Sequence, residues 1–110
     1  IYAPIKLYSD TFMPPDLPGM GSALQKGWFD PEAIKKNLLK DYDLILVDGP
    51  PGPIGRGGFY LYLHYFNTDV PIIFDDTHRP AEKALLKKVS KKLNREIVYI
   101  KNDPASAALL

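Results

Sequence analysis

Three aspartates stand where two apolar runs end. Leu44-Ile45-Leu46-Val47 leads into Asp48, and Val70-Pro71-Ile72-Ile73-Phe74 leads into Asp75-Asp76. An apolar run without alternation reads as a strand covered on both faces, as in a parallel sheet. Neighbouring parallel strands lie about 4.8 Å apart, so Asp48 and Asp75 or Asp76 converge on one ligand if the two strands pair. Carboxylates that close repel unless a cation, a basic residue or a proton offsets them. Arg56, His78 and Arg79 are near enough in sequence to do so. A hard cation such as Mg²⁺, which takes a few carboxylate oxygens plus water, is the other solution. The competing assignment is structural, because an aspartate after such a strand often caps the next helix. Asp76, with Thr77 beside it, is the acid best suited to that. Three acids at matching edge positions favour a ligand crevice at the carboxyl ends of the strands.

The elements that must position these residues follow from pattern and punctuation. Ile1 to Tyr8 alternates loosely and reads as a strand, with Pro4 keeping it off a central ladder position. Ser9 to Gly27 is a long Pro-, Gly- and Asp-rich loop. Asp30-Pro31-Glu32 opens a short helix that stops near Asp41, with Asp30 as cap and Pro31 in the first turn. Asp48 to Gly58 forms a proline-stiffened, then glycine-rich loop. Phe59 to Phe66 reads as a helix despite its β-like composition. Pro80 to Leu93 repeats Ala81, Leu85, Val89 and Leu93 four apart, an amphipathic helix with lysines on its other faces. Glu96 to Lys101 reads as a third strand, and Ala105 to Leu110 is too short to assign. Alternating strands and helices predict an α/β protein, a partial Rossmann-like parallel sheet of three to four strands with flanking helices, in one domain or fragment over residues 1–110.

Composition excludes several classes. A formal net charge of +1 gives no pull toward nucleic acid or an anionic membrane, and the lysines of the last helix lack interleaved aromatics. No apolar stretch approaches the ~20 residues of a membrane-spanning helix. Absence of cysteine excludes disulfides and thiolate zinc sites and fits a reducing, cytoplasmic setting. A serine-nucleophile elbow and a P-loop are both missing. Ile1 in place of methionine suggests an excised or processed fragment.

Tyr42-Asp43-Leu44-Ile45-Leu46-Val47-Asp48-Gly49-Pro50-Pro51-Gly52, then Gly55-Arg56, then Ile72-Ile73-Phe74-Asp75-Asp76-Thr77-His78-Arg79, resembles the second half of class I S-adenosylmethionine-dependent methyltransferases. Trp28-Phe29-Asp30 is similar to the aromatic-aromatic-acid segment that precedes the helix before the fourth strand in one subgroup. The resemblance implies methyl transfer to a small hydroxyl or amine substrate, with Asp48, Asp75, His78 and Arg79 as catalytic candidates. It further implies Asp48, Gly49 and Pro50 beside S-adenosylmethionine, and Arg56 and Trp28 toward the substrate; independently, the place of Trp28 and Phe29 after a long loop makes them lid candidates. Metal-dependent members hold a divalent ion on acids after the fourth and fifth strands, which places Asp48, Asp75 and Asp76 around Mg²⁺. The family's glycine-rich cofactor loop and ribose-binding acid are not found in this sequence, so the resemblance implies a missing N-terminal half and a span that is inactive alone. Two other expectations stand beside this one. One is a non-catalytic half-fold module that associates with itself or a partner, because a half sheet leaves an edge and an apolar face open. The other is a metal-dependent phosphoryl or glycosyl enzyme built on the same acids.

Overall fold

The computed structural model describes residues 3–8, 27–101 and 106–110. Two short strands, β1 (Ile5–Leu7) and β2 (Gly27–Phe29), pair antiparallel, with Lys6 opposite Trp28. Asp30 then caps α1 (Pro31–Asn37), its Oδ1 accepting the Glu32 amide at 3.1 Å, and Pro31 sits in the first turn. This is the start that the sequence indicates, although the helix closes at Asn37 rather than near Asp41.

The main sheet is four-stranded in the order β3 (Ile45–Val47), β4 (Ile72–Phe74), β6 (Ser106–Leu109), β5 (Val98–Lys101). β3 and β4 are parallel neighbours in the register Ile45 to Ile72 and Val47 to Phe74. The expected third strand exists, and runs in the same direction as β4, but it does not touch β4. The unassigned C-terminal segment forms β6 instead and inserts between them, antiparallel to both. The sheet is therefore mixed. The run Ser106-Ala107-Ala108-Leu109 gives a weak strand signal by itself and gains its state from two partners.

One face of the sheet carries the core. Ile45, Val47, Ile72, Phe74 and Ala108 pack with Leu85, Leu86 and Val89 of α3 (Pro80–Leu93) and with Phe59 of α2 (Gly58–Leu61). α3 matches the sequence boundaries and ends at Asn94, whose φ of 53° is the left-handed turn that asparagine tolerates. The aromatic run Phe59 to Phe66 is helical as expected but broken, α2 giving way to a 3₁₀ turn over Leu63–Tyr65. Arg95 ties the end of α3 to the start of β4 by donating to the Thr68 and Val70 carbonyls.

The opposite sheet face is open. Cross-strand register puts Leu46, Ile73, Leu109 and Val98 in one row, with Ile100 beside Ala107. Leu46 is 61 % exposed, Val98 56 % and Ile100 47 %. No helix among the described residues is long and apolar enough to cross a membrane.

Candidate functional site

The parallel pairing of β3 and β4 brings their carboxyl ends together, and with them the acids. Carboxylate oxygens of Asp48, Asp75 and Asp76 all lie within 4.8 Å of one another. Asp48 is exposed, whereas Asp75 and Asp76 are half-buried.

Arg56 organises this edge from below. Its side chain is almost wholly buried, and Nε donates to the Pro50 carbonyl at 3.2 Å. Nη1 donates to the Asp75 carbonyl at 3.1 Å, and Nη2 to Asp76 Oδ2 at 2.8 Å. The same Nη2 stands 3.6 Å from Asp48 Oδ1. One planar fork thus fastens the loop after β3 to the turn after β4, a task for which the fixed geometry of guanidinium is suited. Arg79 adds a second contact, Nη1 at 3.1 Å from Asp76 Oδ2, from a more exposed position. Three carboxylates against two guanidinium groups leave a formal −1 at the edge.

Asp76 does not cap the following helix. The residue preceding α3 is Arg79, whose side chain makes no capping bond. Asp76 instead adopts φ 56°, with its amide donating to Asp75 Oδ1 at 2.8 Å, so a tight acidic turn aims its carboxylate at the two arginines. Asp is among the few residues other than glycine that enter this region readily. Thr77 turns the other way, its hydroxyl 3.0 Å from the Ser106 hydroxyl on β6.

The remaining candidates fall in two places. His78 is exposed, and its Nδ1 accepts the Ser106 amide at 3.3 Å, so the ring is held toward β6. Among the described residues it makes no ion pair with the acids. Gly49 and Pro50 form the first turn of the loop, joined by a cis peptide, with Pro50 fully buried. Trp28 departs from the lid expectation. It is a strand residue, 3 % exposed, stacked on Tyr62 at 5.5 Å with 9° between the ring planes. Phe29 is the link back to the edge, since a Cβ on Gly49 would sit 3.1 Å from its ring.

Glu82 is a site residue that the sequence reading missed. It is 3 % exposed on α3, its Oε1 lacks a hydrogen-bond partner, and that oxygen lies beside Gly52 of the β3 loop. Its position in the first turn of a lysine-rich helix reads as an ordinary solvated acid, and only the packing of the proline loop against that turn buries it.

Together these features define a mixed α/β protein with a carboxylate–guanidinium edge at the ends of two parallel strands. No protein-family model, curated protein or solved structure matches the chain.

Proposed function

We propose that the chain is the C-terminal portion of a Rossmann-like, S-adenosylmethionine-dependent methyltransferase domain acting on a small hydroxyl or amine substrate. The convergence of Asp48, Asp75 and Asp76 at the carboxyl ends of adjacent parallel strands carries this reading. The direction of β5, the same as that of β3 and β4, is consistent with it.

The donor set fits a hard divalent cation. Asp76 commits Oδ2 to the arginines and Asp75 commits Oδ1 to a backbone amide, which leaves Asp75 Oδ2 and Asp76 Oδ1 for a ligand beside the exposed Asp48 carboxylate. Asp48, Asp75 and Asp76 would hold Mg²⁺, which lowers the pKa of a bound hydroxyl. Without metal, the same carboxylates would accept a hydrogen bond from the substrate hydroxyl or amine and take its proton as positive charge builds on the acceptor atom, while Arg79 stays paired with Asp76. S-adenosylmethionine supplies the methyl group when bound. Its glycine-rich loop and ribose acid are not among these residues, and the cofactor contacts offered here are those of Asp48 and Gly49, since Pro50, expected beside the cofactor, is fully buried and shapes the loop instead.

Calorimetric titration with Mg²⁺, and separately with S-adenosylmethionine, tests the reading against the Asp48→Asn, Asp75→Asn double variant. Mg²⁺ heat that disappears in the variant supports the cation on this edge. Mg²⁺ heat that persists would place the metal elsewhere and remove the metal-assisted form. Absence of heat with both ligands would count against a competent site in this span.

The open sheet face favours a second reading, a half-fold module that associates with a second copy of itself. Leu46, Val98 and Ile100 are solvated on one sheet face, and apolar side chains gathered on an exposed face mark an interaction surface.

A further inference from the structure

Away from the acids, a cavity of about 280 Å³ opens between the β1–β2 ribbon and the turn that follows α2. Five aromatic rings wall it, those of Tyr8, Trp28, Phe29, Tyr62 and Tyr65. Its volume is near the lower end of ligand pockets, roughly 300–1,000 Å³, which suits one or two fused rings. Trp28 stacks on Tyr62, and Tyr62 and Tyr65 lie 5.3 Å apart, so the walls offer ring faces and edges. Lys6 and Glu32 are the charged residues of the lining, and they offset each other, which disfavours a strongly charged occupant. The indole Nε1–H of Trp28 is itself buried away from the cleft, so the ring of Trp28 and not its N–H contributes to the wall. Phe29 belongs to this wall and also packs against Gly49, so the cleft adjoins the carboxylate edge.

We infer that the cleft binds an uncharged, planar aromatic compound of one or two fused rings. As the class of methyl acceptor this rests on the function proposed above; as a binding site it stands alone.

Trp28 is the sole tryptophan, so its indole N–H gives a single resolved signal in a proton–nitrogen correlation spectrum. The probe is 2-naphthol, with its fully saturated analogue decahydro-2-naphthol as control. A saturable shift of the indole signal, from the ring current of a ring bound against the wall, is expected with 2-naphthol, with a dissociation constant on the order of 1 mM or below. The saturated analogue should bind several-fold more weakly. Tyr65→Ala, which deletes a half-buried wall, should weaken 2-naphthol roughly three- to tenfold. Leu7→Phe, at an exposed lining position, fills the mouth and should weaken it further without touching the core, which keeps the test usable if Tyr65→Ala does not fold. An unmoved indole signal at millimolar 2-naphthol, equal binding of the saturated analogue, or full affinity in Leu7→Phe would overturn the assignment. No metal or cofactor enters this titration, so its failure and that of the Mg²⁺ titration are separate events.

Discussion

A guanidinium held at 3 % exposure has left water, and its nitrogens need partners within the protein. Arg56 gives each of the three one acceptor, two carbonyls and a carboxylate. Arg56→Met therefore removes the buried partner of Asp76 and leaves three carboxylates with Arg79 as the one arginine paired to them among the described residues; a loss of roughly 3 kcal/mol in urea unfolding is expected. Arg56→Lys should recover little of it, because an ammonium cannot reproduce the planar fork. Recovery to wild-type stability in the lysine variant would show that charge alone suffices. Proximity in sequence is enough to mark Arg56 as a counter-charge. Its carbonyl partners are not legible there, since they depend on how two loops fold over one another.

Tyr8 makes a second prediction at the scale of single residues. Burial, reinforced by the nearby Tyr62, pushes its phenol up to about 12. The unfolded chain releases that proton near the ordinary value of 10, while the folded chain retains it. A raised folded pKa gives stability that is complete below pH 10 and is lost as pH rises toward 12. Melting temperature should accordingly fall across that window, and Tyr8→Phe should flatten the fall. An unchanged slope in Tyr8→Phe would assign the loss to other groups.

At the scale of elements, the contact between β2 and α2 decides where the aromatic residues go. Gly58 opens α2 directly against Trp28, and a Cβ there would overlap the root of the indole ring. Gly58→Ala must therefore displace Trp28 or the helix, at about 1–3 kcal/mol for an overpacked site. Fluorescence of the single tryptophan should shift to the red as the ring gains water; a stable variant with an unshifted spectrum would mean that the backbone relaxes instead. This contact explains why Trp28 reads as a lid from sequence. An aromatic pair after a long Pro- and Gly-rich segment carries no mark of the glycine some thirty residues later that receives it. The helices were more legible. Asp30-Pro31 and the four-residue repeat of α3 are local signals, and local signals survive folding. β6 was illegible for the opposite reason, as its state is set by β4 and β5 on either side.

At the scale of the whole molecule, the sheet has one finished face and one open face, and β3 forms an edge of the four-stranded sheet. A continuous apolar run implies a strand covered on both sides, and the inner half of that expectation holds: Ile45, Val47, Ile72 and Phe74 are buried. The outer row instead exposes Leu46 and Val98, for which burial against a second copy is the expected relief. Light scattering at tens of micromolar should then show a mass above that of the 12.4 kDa chain. Leu46→Lys should return it to the monomer, because a charge within an apolar contact is not easily desolvated. The substitution lies on the solvated face, so the stability of the monomer should change by no more than about 0.5 kcal/mol. A wild-type monomer with a cooperative melt would sink self-association and leave the open face to another partner. A variant that unfolds would show instead that Leu46 is already buried in solution by the chain itself.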